Sequence, residues 1–161
     1  MEKIINVDDA IKIGKQLKQK GNTIVLAGGC FDILHIGHIE LLKNAKRKGG
    51  QLFVLLENDK NVKKLKGKGR PINSQKERAI ILSSLGYVDY VVLLPDMTSN
   101  KDYDKLVYLL NPDIIAVTKD SPQIVHNLRQ TEKINAKVLE VTKIIKDKST
   151  TRLAKLIKQN F

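Results

Sequence analysis

Short, mainly apolar runs alternate along the chain with longer segments in which apolar residues recur every three or four positions. Runs of four or five apolar residues between turn-forming residues are typical of strands buried on both faces. The three-to-four spacing is typical of helices that bury one side. The short runs lie at residues 24–27, 52–56, 90–94, 114–117 and 137–141. The pattern therefore predicts five strands with helices between them.

The predicted helices fill the intervals between these strands. They comprise a leading helix at 2–20 within the segment 1–22, a helix from near His38 to Gly49-Gly50, helices at 75–85, 103–110 and 122–130, and a terminal helix at 149–161. Ser149-Thr150-Thr151 is a good cap for the terminal helix, because serine and threonine hydroxyls accept hydrogen bonds from the first free N–H groups of a helix.

Buried strands that alternate with helices indicate a parallel sheet covered on both faces. We therefore predict an α/β fold, a Rossmann-like, doubly wound sheet of five parallel strands, in a single domain over residues 1–161. Ligands bind beyond the carboxyl ends of the strands in such sheets. Three distinctive segments follow strands of this sheet, at residues 28–38, 57–73 and 149–151, so we expect them to meet at one edge.

The segment with the most distinctive chemistry follows the first predicted strand. Residues 28–38 read Gly-Gly-Cys-Phe-Asp-Ile-Leu-His-Ile-Gly-His and lead into a helix. A loop between a strand and a helix offers free N–H groups and the positive end of the helix dipole to an anion. His35 and His38 share one face of the first turn, and Gly37 leaves room for close approach. The segment therefore predicts a polyphosphate site.

Other interpretations of this loop are open. It is neither a Walker loop nor a dinucleotide-binding fingerprint, because no Gly-Lys-Ser/Thr follows and the glycine spacing differs. The two histidines could instead pack or hydrogen-bond near the helix start. Zinc would need a fourth ligand besides His35, His38 and Cys30, and none has suitable spacing, so we predict no metal site. We expect Cys30 to contribute its backbone N–H rather than a nucleophilic thiol.

Basic residues dominate the segment after the second predicted strand. Residues 57–73 contain six lysines and arginines together with two glycines, which allow a loop to fold over a ligand. We interpret the segment as a mobile flap whose Lys63, Lys66 and Arg70 meet ligand phosphates. The alternative is a solvated loop.

Overall charge and composition narrow the partners. The formal net charge of +12 favours nucleotides, phosphorylated metabolites or nucleic acid, although lysines outside the motifs also suit a solvated surface. The seven aromatic residues are scattered and form no stacking platform, so we do not expect nucleic acid. A lone cysteine permits no internal disulfide, and no run approaches membrane-spanning length. We expect a cytoplasmic protein that does not enter a membrane.

An ordered set of motifs resembles the small cytidylyltransferase-like nucleotidylyltransferases, which carry an HxGH signature. Within that family the pattern is most similar to the adenylyltransferases that make ADP-heptose from heptose 1-phosphate. The motifs are Phe31-Asp32-Ile33-Leu34-His35-Ile36-Gly37-His38, Leu65-Lys66-Gly67, Arg70-Pro71-Ile72-Asn73, Arg78, Val88-Asp89, Pro112-Asp113 and Ser149-Thr150-Thr151. They span nearly the whole chain.

The resemblance implies transfer of a nucleoside monophosphate from ATP or CTP, with Mg²⁺, to a phosphorylated small-molecule acceptor. No protein nucleophile is obligatory, so catalysis is positioning plus neutralisation of developing charge. The histidines would serve best if partly protonated, which nearby phosphates favour. The implied catalytic residues are His35, His38, Lys66 and Arg78, the last of which could otherwise be a surface arginine. The implied nucleotide-binding residues are Gly29, Cys30, Phe31, Asp32, Gly37, Asp120, Ser149, Thr150 and Thr151. The family's usual dimer makes a homodimer our expectation.

Departures from the heptose pattern leave the substrates open. Thr118 and Lys119 stand where that pattern has two glycines, and Glu57 stands where it usually has asparagine. The alternatives are a CTP-dependent cytidylyltransferase acting on a polyol phosphate of the glycerol 3-phosphate type, or an FAD synthase. Two more distant alternatives are a fragment related to class I aminoacyl-tRNA synthetases, which share the histidine motif, and a non-enzymatic basic module that binds nucleic acid.

Overall fold

The computed structural model describes residues 2–143. Within them the chain forms one parallel sheet with helices on both faces. In chain order the elements are β1 (Ile4–Ile5), α1 (Val7–Gln19), β2 (Ile24–Gly29), α2 (Ile36–Lys46), β3 (Gln51–Leu56), α3 (Asp59–Lys66), α4 (Gln75–Ser83), β4 (Tyr90–Leu93), α5 (Asn100–Leu110), β5 (Ile114–Thr118), α6 (Ile124–Thr131) and β6 (Lys137–Thr142). Across the sheet the described strands lie in the order β1-β4-β3-β2-β5-β6, and every neighbouring pair is parallel. The predicted α/β class is confirmed.

The two faces of the sheet carry separate cores. Successive residues of a strand point to opposite faces. Ile24 and Leu26 of β2 accordingly pack in a core with residues of α1 and α5. Val25 and Ala27 pack on the other face with residues of α2 and α4. Burial on both faces explains why the central strands are apolar throughout, and it confirms the doubly wound arrangement.

The described residues form six strands, one more than predicted. Ile4 and Ile5 pair with Val91 and Val92 of β4, whereas the sequence pattern assigned them to the leading helix. The helix begins at Val7 because the Asn6 side chain accepts a hydrogen bond from the Asp9 N–H at 2.9 Å and caps it. A two-residue strand is too short to leave a periodic signal, so its place is set by β4.

The basic segment after β3 contains a helix that the sequence pattern did not predict. The side chain of Asn58 caps α3 by accepting from the Asn61 N–H at 2.9 Å, and Gly67 ends the helix with a φ of +90°. Only Asn61 and Val62 of the helix are buried. A helix with so small a buried face shows little apolar periodicity. The predicted flap is therefore this helix followed by a loop.

The other predicted helices are found at similar places within the described residues. A capping box between Ser74 and Glu77 starts α4. The predicted terminal helix at 149–161 lies outside the described residues. None of the helices described is long and apolar enough to cross a membrane.

The strand order places one loop at the centre of the carboxyl edge. β2 pairs with β3 on one side and with β5 on the other, so the chain runs outwards in opposite directions from this strand. Open parallel sheets bind ligands at such a reversal of strand order. The loop that leads to the two histidines leaves β2 at this point.

Candidate active site

A cleft of about 590 Å³ opens at the carboxyl edge of the sheet. Its floor is the end of β2 and the start of the loop after it, from Gly28 to Asp32. One wall consists of Glu57 after β3, Leu65 and Lys66 of α3, and Arg70. The opposite wall comes from the end of β5 and from α6, and residues of α5 close the cleft between them. The cleft is large enough for a nucleotide and part of a second small molecule.

The cleft brings together part of the predicted site. The predicted residues that line it are Gly29, Cys30, Phe31, Asp32, His38, Lys66 and Arg70. The predicted residues that do not line it are His35, Gly37, Lys63, Arg78 and Asp120. Asp120 is exposed in the turn after β5, although Thr118 and Ser121 of that turn do line the cleft. Ser149, Thr150 and Thr151 lie outside the described residues.

The two histidines form a stacked pair at the start of α2. The helix begins at Ile36, with His35 as its cap, and Nδ1 of His35 accepts a hydrogen bond from the Gly37 N–H at 3.2 Å. Because Nδ1 accepts, the proton of neutral His35 lies on Nε2. The rings of His35 and His38 have centroids 3.8 Å apart, and Phe31 packs edge-on to His38 at 5.0 Å. The packing fixes the position of His38 beside the loop.

Both histidines are neutral at pH 7 under the influence of the protein's own groups. Burial, and after it the positive charges of His35 and Lys66, lowers the pKa of His38 to about 3, against a weaker opposing hydrogen bond with the Ile33 backbone. Burial also lowers the pKa of His35. Burial disfavours the charged imidazole, so the partial protonation expected from the sequence depends on the negative charge of bound phosphates. Nδ1 of His38 is buried and has no hydrogen-bond partner within residues 2–143.

The low pKa of His38 predicts a loss of stability in acid. Below about pH 6.5 the unfolded chain binds a proton at this residue, whereas the folded protein does not until about pH 3. The free energy of unfolding therefore falls as the pH drops from 6.5 towards 3. Between pH 7 and pH 5 we expect a contribution on the order of 2 kcal/mol. Urea unfolding at pH 7 and at pH 5 measures the free energy of unfolding of wild type and of His38→Gln. Between these pH values the free energy should fall less in His38→Gln than in wild type, by this amount. An equal loss in the two proteins would contradict the assigned pKa.

Asp32 and Arg70 join the histidine loop to the segment after α3. The Asp32 carboxylate is buried and accepts hydrogen bonds from the N–H groups of Ile72 at 2.8 Å and Asn73 at 3.1 Å, and from Nε of Arg70. The Arg70 side chain is only 9% exposed, yet its Nη2 has no hydrogen-bond partner in the described part of the chain. Buried polar groups are normally paired. Arg70 also lines the cleft, and a guanidinium group forms strong charge-assisted hydrogen bonds with anionic ligands.

Arg78 lies beneath the site rather than in it. Its side chain is fully buried, and it donates to the backbone carbonyls of Cys30, Glu57 at 2.8 Å and Asn73 at 3.0 Å, and to the Asp59 carboxylate at 2.7 Å. The predicted direct contact with a phosphate is corrected by this geometry, because each guanidinium nitrogen already has a protein partner. Arg78 joins the loops after β2 and β3 to the start of α4.

Comparison with known proteins shows the family of the chain. The model of a family described as cytidylyltransferase-like matches residues 26–156. The chain belongs to the cytidylyltransferase-like family. This membership confirms the resemblance of the motifs and places the chain among the nucleotidyltransferase enzymes.

Individual relatives are similar over different spans. The bifunctional protein HldE of Wolinella succinogenes is 45% identical over 114 residues, which is 71% of this chain and 23% of that protein. HldE of Aliarcobacter butzleri is 38% identical over 151 residues, which is 92% of this chain and 30% of that protein. The chain thus spans less than a third of the length of these relatives. A solved lipopolysaccharide core biosynthesis protein of Thermoplasma volcanium is 29% identical, with a TM-score of 0.61 over 78% of this chain and 98% of that one.

The lone thiol of this cytidylyltransferase-like chain is not activated. Burial raises the pKa of Cys30, and the charge of Glu57 adds to that effect, while Lys66 and Arg78 act against it. A protonated thiol is a weak nucleophile. Within residues 2–143 no group of three or more histidine, cysteine, aspartate or glutamate side chains is arranged to hold a metal ion.

Several polar residues of the cleft were missed by sequence reasoning. Asp104 of α5 accepts two hydrogen bonds from Arg129 of α6, at 2.8 and 2.9 Å, and one from Gln130 at 3.0 Å. Tyr103 of α5 and His126 of α6 also line the cleft. These residues lie within helices and carry no motif. The charge of Glu57 was visible as a departure from the heptose pattern, but its place in the cleft was not.

Proposed function

We propose that this chain transfers AMP from ATP to a phosphorylated acceptor, a sugar 1-phosphate such as heptose 1-phosphate, and releases pyrophosphate. The observation that carries the proposal is the cleft at the central loop of the sheet. There the loop after β2, the fixed imidazole of His38, Lys66 and Arg70 line one space. Such a set of donors suits a polyphosphate.

The proposed reaction is a displacement at the α-phosphorus. An oxygen of the acceptor phosphate forms a new bond to that phosphorus, and the bond from it to the oxygen bridging to the β-phosphorus breaks. Pyrophosphate leaves with the electron pair of that bond. The acceptor phosphate is already ionised near pH 7, so no protein base is required. The protein's task is to position the reactants and to stabilise developing negative charge.

The roles of the residues follow from their positions. His38 and Arg70 are placed to donate to the phosphates of the nucleotide, and Lys66 of α3 supplies positive charge from the β3 side. We propose that Ser149, Thr150 and Thr151 bind the β- and γ-phosphates, as the family resemblance implies. Mg²⁺ enters as part of the substrate, bound to the triphosphate. Lys63 and Asp120 stay secondary candidates, because neither lines the cleft.

Nucleotide binding and turnover test this proposal separately. A thermal-shift panel of ATP, CTP, GTP and UTP with Mg²⁺ should give a selective rise in melting temperature with ATP, since a ligand that binds only the folded state stabilises it. Pyrophosphate release should then require heptose 1-phosphate. Selective stabilisation by CTP with turnover of glycerol 3-phosphate would favour the cytidylyltransferase alternative. ATP-dependent turnover of flavin mononucleotide would favour FAD synthesis.

Assembly and location extend the proposal. We propose that residues 1–161 act as a single nucleotidyltransferase domain, that the protein is a homodimer, and that it works in the cytoplasm, where nucleotides and phosphorylated sugars are present. Light scattering coupled to size-exclusion chromatography measures the molar mass in solution and so tests the homodimer. A mass of 18.1 kDa rather than twice that value would contradict the dimer.

A further inference from the structure

A carboxylate without a counter-charge lies in a cleft otherwise suited to anions. Glu57 follows β3 and lines the cleft. It forms no salt bridge with any lysine, arginine or histidine of residues 2–143. Its charge acts on the Cys30 thiol, as does the charge of Lys66, so Glu57 stands close to the floor of the site. A negative charge here repels phosphate groups unless another part of a ligand faces it.

Neutral donors hold this carboxylate in place. Oε1 accepts a hydrogen bond from the Tyr103 hydroxyl at 2.8 Å, and Oε2 accepts one from the Asn61 side-chain amide at 3.3 Å. Asn61 is 6% exposed and also lies within hydrogen-bond distance of the Met97 carbonyl, at 3.2 Å. Burial and the bond to Glu57 raise the pKa of the Tyr103 phenol, so it stays a donor near neutral pH. Each carboxylate oxygen keeps capacity for another hydrogen bond.

The position of Glu57 assigns it to one of the two substrates. It lies on the β3 side of the central loop, whereas β5 and β6 lie on the other side. Residues 149–151, proposed to bind the β- and γ-phosphates, follow β6 in the chain. On that proposal the nucleotide takes the β5 side. The β3 side is left for the acceptor, and the acceptor's phosphate must point towards the α-phosphorus near the central loop. The body of the acceptor then faces Glu57.

We infer that Glu57, fixed by Tyr103 and Asn61, determines acceptor specificity by accepting hydrogen bonds from hydroxyl groups of an uncharged, polyhydroxylated acceptor body. The same charge rejects an acceptor that carries a second anionic group there. The inference rests on the proposed function. A site built to pair with substrate hydroxyls discriminates strongly, because its polar groups are otherwise left unpaired. A like charge adds discrimination by repulsion.

A purely structural role is the competing explanation. Glu57 and Tyr103 also connect the end of β3 to α5, and loss of that connection would lower stability and all rates together. Only a role in recognition changes the ratio of the kcat/KM values for two acceptors that differ in charge. The ratio of kcat/KM values for two such acceptors therefore separates the explanations.

The experiment compares heptose 1-phosphate with the corresponding 1,7-bisphosphate, using ATP and Mg²⁺ and measuring pyrophosphate release. Wild type should prefer the monophosphate by about 100-fold or more in kcat/KM. Glu57→Gln, which keeps the shape and removes the charge, should narrow this preference at least about tenfold with the KM for ATP changed less than about twofold. Tyr103→Phe should shift the ratio in the same direction by less. Glu140→Gln, the same change at an exposed position on β6, should match wild type.

Each outcome decides a different claim. An unchanged preference in Glu57→Gln, with wild-type turnover of heptose 1-phosphate, overturns the inference and leaves the proposed function intact. No pyrophosphate release by wild type with either acceptor overturns both. If Glu57→Gln melts too early to assay, an unchanged preference in Tyr103→Phe overturns the inference, because the phenol then has no part in fixing the carboxylate.

Discussion

Replacing His38 by alanine is expected to slow pyrophosphate release by about two orders of magnitude or more while the fold persists. The imidazole is stacked on His35 and held at its edge by Phe31, so its position beside the phosphate loop costs no reorganisation during the reaction. A preorganised donor of this kind stabilises negative charge that develops in the transition state. Alanine leaves that charge without its partner and opens a space that water can enter.

Kinetics and stability together test this expectation. Initial rates at saturating ATP and acceptor give kcat, and thermal melting shows that the variant is folded. Lys43→Ala is a matched control, because Lys43 is on the same helix, forms an ion pair with Glu40 at 3.8 Å, and does not line the cleft. The control should keep the wild-type kcat. Normal turnover by His38→Ala would remove His38 from the catalytic residues.

The pattern of apolar residues predicted most of the sheet because buried strands need apolar side chains on both faces. The runs at 24–27 and 52–56 became β2 and β3, and the loop between β2 and α2 lies at the central carboxyl edge as expected. The exceptions are elements with little buried surface. β1 is two residues long, and α3 buries only Asn61 and Val62, so neither shows a detectable periodic spacing of apolar residues.

The sequence predicted those parts of the site whose residues lie close together along the chain. The histidines and the phosphate loop lie within 28–38, and their spacing indicates their use. Pairings between distant positions leave no such signal. Glu57 and Tyr103 are 46 positions apart, and Arg70 and Asp32 are 38 apart. Arg78 shows the limit clearly, since an arginine on an amphipathic helix indicates exposure, yet this side chain is fully buried by three loops.

That burial leads to the second large effect, for Arg78→Ala. The substitution leaves the carbonyls of Cys30, Glu57 and Asn73 without their donor in partly buried positions. Each such orphaned group costs about 1–3 kcal/mol, so we expect the free energy of unfolding to fall by at least about 3 kcal/mol. Such a loss is a large share of the stability of a typical domain. Urea unfolding measures it, and Arg47→Ala, at an exposed arginine, should lose less than about 0.5 kcal/mol.

Arg78→Lys separates support of the site from direct phosphate binding. Lysine keeps the positive charge but cannot reproduce the planar fork that reaches several carbonyls at once. If Arg78 supports the loops, this variant loses stability, and the KM values for ATP and for the acceptor rise together, because Arg78 joins the loop after β2 to the loop after β3. A rise in the KM for ATP alone, at wild-type stability, would instead mean that Arg78 touches the nucleotide. The buried position of the guanidinium predicts the first result, since a ligand reaches it only by displacing bonds that hold the floor of the cleft.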